Sequence, residues 1–188
     1  AGPAGPWMDR AALERFAAGA LSSALGPAYA DLDAVRPRVR LPLDPFLLVS
    51  RVVSVEGERG QLGRSRIVTE YDLPADAPWA HDGRPPPCVV VESGQADLLL
   101  VSILGIDEIT QGRSLYRLLD CDLVFHGERP RAGETLRHDI RIKSFARLGA
   151  ITLFYFEYDG VAVADGRPVI TMRNGCAGFF TPAELAKP

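Results

Sequence analysis

The chain has 188 residues, of which 47% are hydrophobic and 24% charged, with a formal net charge of −3. That length suits a single domain with a substantial core, and the near balance of charge lacks the basic excess that nucleic-acid binding requires. Cys88, Cys121 and Cys176 are scattered without metal-ligand spacing. They read as free thiols in a reducing compartment, so a cytoplasmic location and no metal are expected. The N-terminus has no basic-then-apolar signal pattern. Because the first Met is Met8, residues 1–8 read as linker and the whole as a segment of a longer chain.

Residues 9–26 predict an N-terminal helix. Leu13, Phe16, Ala17, Ala20, Leu21 and Ala24 recur at helical spacing, Asp9 is the N-cap, and Gly26-Pro27 is the stop. Val35–Pro45, rich in Pro and Arg, is an extended connector. The first two strands are expected within 46–71: FLLVSRVVSVEGE, a turn at Glu58-Arg59-Gly60, and QLGRSRIVTEY. A proline-dense loop, 72–87, leads into the longest apolar run, CVVVESGQADLLLVSILGI at 88–106. Its length approaches that of a membrane span, but Glu92, Gln95 and Asp97 interrupt it, which excludes an unpartnered span. It reads instead as one central buried helix, apolar nearly all round, that something else must wrap. Residues 114–180 are strands. Leu136, His138, Ile140 and Ile142 alternate with Arg137, Asp139, Arg141 and Lys143, and Phe154, Phe156 and Tyr158 with Leu153, Tyr155 and Glu157. Thr181-Pro182-Ala183-Glu184 has the pattern of a capping box opening a short helix.

The order is helix, two strands, buried helix, then four or five antiparallel strands. An α+β hot-dog fold accounts for it: a curved antiparallel sheet wrapped around a long central apolar helix, with an extra N-terminal helix. The chain resembles the dehydratase-type hot-dog domains of bacterial polyunsaturated fatty acid synthases and iterative polyketide synthases, a family that includes the 3-hydroxyacyl-carrier-protein dehydratase/isomerase. The resemblance is carried by LPLDPFLLVSRVVSV (41–55), TEYDLPADAPW (69–79), PCVVVESGQADLLLVSILGID (87–107), YRLLDCDLVFHGERPRAGETLRHDI (116–140), FYFEYD (154–159) and MRNGCAGFFT (172–181).

The resemblance implies a catalytic His on the loop before the central helix and an acid on the helix, contributed by different hot-dog units that pair. The His takes the C2 proton of a 3-hydroxyacyl thioester and the acid protonates the departing hydroxyl. Backbone N–H groups at the helix start, here Cys88 and Val89, hold the thioester oxygen. The acid position is Glu92, six residues after Pro86, with Gln95 one turn on facing the acyl chain. The family's His-x-x-Gly-Asp-Pro is missing: only AHDGRPPP separates Trp79 from Cys88, and His81 stands too early for the base. This points to a non-catalytic pseudo-dehydratase completing a double hot-dog beside an active unit. The alternative is an active 3-hydroxyacyl-carrier-protein dehydratase/isomerase working as a homodimer through His81 and Glu92. The implied partners are an acyl carrier protein, an adjacent dehydratase hot-dog and, for the segment alone, a second copy. The chain needs no cofactor of its own, because phosphopantetheine on the carrier delivers the substrate.

Each candidate also has a plainer reading. Glu92 serves equally as a structural carboxylate satisfied by loop N–H groups, and His81 as an exposed loop residue. Phe154, Phe156 and Tyr158 either line a lipid pocket or form ordinary core. His126 and His138 are strand residues, and Cys88 a packed small hydrophobe. Arg137, Arg141, Lys143 and Arg147 either dock an acidic carrier protein or form the charged outer face of a strand.

Overall fold

In the computed structural model, residues 5–186 are described; residues 1–4 of the expected linker lie outside them. The period-two patterns become long strands. β1 (Arg51–Glu56), β2 (Ser65–Asp72), β3 (Leu115–Phe125), β4 (Thr135–Leu148), β5 (Ile151–Ala162) and β6 (Pro168–Phe180) form one antiparallel sheet. Its spatial order is β1-β2-β4-β5-β6-β3, so β1 and β3 are the edges. Leu136, Ile140 and Ile142 on β4 and Phe154, Phe156 and Tyr158 on β5 are all buried, as the alternation requires. This row belongs to the core, and Phe154 lies 5.4 Å from Phe156 between ring centroids.

The opposite face of the sheet carries a ladder of ion pairs. Arg66 joins Glu56 at 2.9 Å and Asp139 at 2.7 Å, Arg141 joins Asp139, Glu157 and Asp159, and Arg173 joins Asp159 at 2.7 Å. Arg137 pairs with Glu70 and Lys143 with Glu157. The basic residues Arg137, Arg141 and Lys143 on β4 are thus paired with carboxylates on β2, on β5 and on β4 itself. Such half-exposed pairs add little stability individually. Arg147 alone of the four has no ion-pair partner among the described residues.

The N-terminal helix is two helices, α1 (Arg10–Ala18) and α2 (Leu21–Leu25), broken at Gly19. Asp9 caps α1 by accepting from the Ala12 N–H at 2.8 Å. α1 buries Leu13 and Phe16 completely in the same core as the sheet. A 3₁₀ turn (Pro27–Leu32) follows, and the connector then returns across α1's C-terminal end. There Arg38 donates to the carbonyls of Phe16 and Gly19, and Arg40 to that of Ala17. These carbonyls have no helical partner, and the cations also complement the helix dipole.

The apolar run does not form one helix. It divides into α3 (Pro87–Glu92), α4 (Asp97–Ile103) and α5 (Ile106–Thr110). Pro87 opens α3 at its first position, as the triple proline predicts. At the first break, a Cβ on Gly94 would stand 2.7 Å from the Tyr158 ring, so only glycine lets the chain approach it. The Tyr158 hydroxyl donates to the Val91 carbonyl at 3.3 Å, beneath the end of α3. At the second break Gly105 adopts φ +90°, the left-handed region that glycine enters without strain. Leu99, Leu100, Val101 and Ile103 of α4 still fill the hollow of the sheet. No helix among the described residues is long and apolar enough to cross a membrane. At the C-terminus, α6 (Pro182–Leu185) opens with the capping box of Thr181 and Glu184.

Candidate functional site

The triple proline and α3 build the entrance. Pro87 has no N–H and the Val89 N–H donates to the Pro86 carbonyl at 3.1 Å. The Cys88 N–H has no hydrogen-bond partner among the described residues. The Cys88 side chain is exposed rather than packed, Val89 is half-buried, and Val90 is fully buried. Glu92 ends α3, and its carboxylate makes no hydrogen bond among the described residues. Although the residue is exposed overall, partial burial of the carboxyl against the apolar surface raises its pKa. With Gln95 in the break, Glu92 faces a slot of ≈ 20 Å³ walled by Leu41, Pro42, Leu47 and Leu98. Such a slot has room for about one water molecule and none for an acyl chain. A structural carboxylate satisfied by loop N–H groups is not what the geometry shows.

The fold brings Glu92 and Gln95 together and keeps the imidazoles away. His81 pairs with Arg84 across a tight turn, its ring 89% exposed and 3.5 Å from the Asp82 carboxylate. That turn is held against the loop after β3: Gly83 accepts from the Ala132 N–H, and Arg84 pairs with Glu128. The His126 Nε2 lies 2.9 Å from the Thr171 hydroxyl. His138 is completely buried, with neither ring nitrogen hydrogen-bonded. None of the three lines the Glu92 slot.

A second carboxyl escaped sequence reasoning. Asp97 opens α4 with no exposure at all; its Oδ1 has no partner, and its Oδ2 is 3.5 Å from the Tyr116 hydroxyl. Burial raises its pKa well above the ordinary carboxylate value, and the Glu92 charge pushes the same way. The available signal was an Asp placed directly after Gly-Gln-Ala inside an apolar run, the pattern of a helix restarting. Because the folded pKa lies above the unfolded one, ionisation costs folding free energy as pH rises through that window. Asp97→Asn should therefore stabilise the domain at pH 8 by at least about 1 kcal/mol. Urea midpoints at pH 8 and pH 5 check this, the gain being smaller at the lower pH.

Among the described residues no group of His, Cys, Asp and Glu could hold a metal ion. No family model matches the chain. The dehydratase heterocomplex ApeI:P from Xenorhabdus doucetiae superposes with a TM-score of 0.52, over 79% of this chain and 92% of that one, at 19% identity. A polyunsaturated fatty acid synthase polypeptide from Thraustochytrium sp. is 47% identical over 178 residues, 93% of this chain. This chain is a hot-dog domain related to the polyunsaturated fatty acid synthases. The hot-dog domain spans only 12% of the length of that synthase polypeptide.

Proposed function

We propose that this hot-dog domain is a dehydratase-type unit, silent by itself, that completes a double hot-dog with a second, catalytic unit. The pair would dehydrate 3-hydroxyacyl chains carried on the phosphopantetheine of an acyl carrier protein. The observation that carries the reading is the separation of Glu92 from every imidazole of the chain. Removing a C2 proton needs a base within about 3 Å of it in a dry pocket. His81 stands in solvent and His138 is walled in. Glu92, free of structural duty, and the Cys88 N–H remain available to a partner's site.

The surface for pairing is β3. It ends the sheet with eleven residues, and Leu118, Leu119, Val124 and Phe125 are exposed along it. An edge this long and apolar is a hazard unless another strand covers it. The fold shared with a dehydratase heterocomplex supports pairing between unlike hot-dogs, with self-pairing as the substitute when the domain is alone.

The test is a dehydration assay of the purified domain on a 3-hydroxyacyl thioester, free and carrier-bound. No turnover is expected, and sedimentation of the same preparation should show a dimer. His81→Ala and Glu92→Gln should leave stability within about 0.5 kcal/mol of wild type, since neither side chain holds a buried partner. Robust turnover that vanishes in both variants would make this an active dehydratase.

A further inference from the structure

A separate cavity of ≈ 280 Å³, sharing Leu98 with the Glu92 slot, opens between the connector, α5 and the start of β3. Its polar wall is Arg38, Arg40, Thr110 and Ser114; its apolar wall is Leu98, Leu115, Tyr116 and Phe179. Arg38 is 7% exposed, yet it has no ion-pair partner among the described residues. All its hydrogen bonds go to backbone carbonyls, those of Val39, Phe16 and Gly19, and its Nε has none. A buried guanidinium is normally paired with a carboxylate, because desolvating an uncompensated charge is costly. Here burial, with Arg40 and Arg36 nearby, draws the Arg38 pKa down to about 10.

One carboxylate, Asp107, shares the wall, but both of its oxygens are engaged. Oδ1 accepts from the Val39 N–H at 3.0 Å and Oδ2 from the Ser102 hydroxyl at 3.2 Å. Arg40 makes a single bond, to the Ala17 carbonyl, and no ion pair among the described residues. The cavity thus joins two cations lacking counter-ions to an aromatic and aliphatic throat, at the small end of ligand-pocket sizes.

We propose that this cavity binds a small amphiphilic anion, its carboxylate or phosphate head against Arg38 and Arg40 and its short apolar body between Leu98, Tyr116 and Phe179. The two heads share one chemistry, multiple acceptor oxygens facing guanidinium donors. The site owes nothing to the His81–Glu92 chemistry, so it stands whether or not the domain is silent.

The experiment is an NMR titration of the whole chain with hexanoate, hexyl phosphate, inorganic phosphate and hexanol. Saturable shifts are expected at the Arg38 Nε–H and at the Thr110, Ser114 and Leu115 amides with one or both alkyl anions. Hexanol, lacking charge, and inorganic phosphate, lacking a body, should each bind at least about tenfold more weakly. Since Arg38 also ties α1 to the connector, Arg38→Gln risks unfolding the protein. Ser114→Glu instead places a like charge beside the head group from a half-exposed loop, and should weaken alkyl-anion binding about tenfold or more while the spectrum stays folded. The proposal is overturned by non-saturable shifts at millimolar ligand, by binding of hexanol or inorganic phosphate as tight as that of the alkyl anions, or by affinity indifferent to Ser114→Glu.

Discussion

Replacing Tyr158 with alanine should destabilise the domain by about 3–5 kcal/mol, the range for removing a large aromatic side chain from a packed core. The ring is completely buried beneath the break between α3 and α4. It touches the space where a Gly94 Cβ would stand and meets the His138 ring edge-on at 5.7 Å between centroids. Its removal leaves a cavity under three elements and frees the Val91 carbonyl from its hydroxyl donor. Tyr158→Phe keeps the ring and loses only that 3.3 Å bond, so it should cost about 1 kcal/mol. Urea denaturation of the two variants separates packing from hydrogen bonding. A cost below about 1 kcal/mol for the alanine variant would mean that the break is held by something other than this ring.

His138 should make the domain sensitive to mild acid. It is wholly buried, and burial lowers its pKa from 6.5 to about 4. On neighbouring strands it is flanked by Thr69 of β2 and Gly160 of β5, and the Tyr158 ring packs against it. No carboxylate among the described residues pairs with it. Between pH 6.5 and about 4 the unfolded chain binds a proton that the folded chain refuses. Stability is therefore complete above the unfolded pKa and falls as pH drops through this window. At about 1.4 kcal/mol per unit, the loss is on the order of 3 kcal/mol. The outer-face carboxylates Glu70, Asp72, Glu157 and Asp159 have lowered pKa values and act from the acid end of this window downward, losing their contribution as pH falls further. The difference between wild type and His138→Leu isolates the histidine: the variant should lose far less stability between pH 7 and pH 4.5 in urea titrations. Equal slopes for both proteins would show that the ring protonates in place.

Much of this architecture is legible in the chain because it rests on short-range periodicity. Alternation at Leu136–Lys143 and Leu153–Tyr158 places those side chains on opposite faces of any strand they form, and both inward rows are buried. Asp9 and the Thr181–Glu184 box cap helices through backbone groups within three residues. The resemblance to synthase hot-dogs, read from segments between residues 41 and 181, agrees with the relative found. Other features depend on partners distant in sequence. Gly94 inside an apolar run looks like a tolerated glycine in one helix. It becomes a break because the Tyr158 ring, on another strand, occupies the space beneath it. The basic row on β4 reads as an unpaired charged face until register sets Glu70, Glu157 and Asp159 against it. Arg38 in a proline-rich connector looks like a solvated charge, yet the return across α1 buries it against three carbonyls. The Gly-Gln-Ala-Asp pattern signals a helix restart at Asp97, but only packing leaves that carboxyl wholly buried and Glu92 exposed. Periodicity is a property of the backbone's own geometry, whereas burial, pairing and charge compensation depend on which surfaces meet, and only the folded chain decides that.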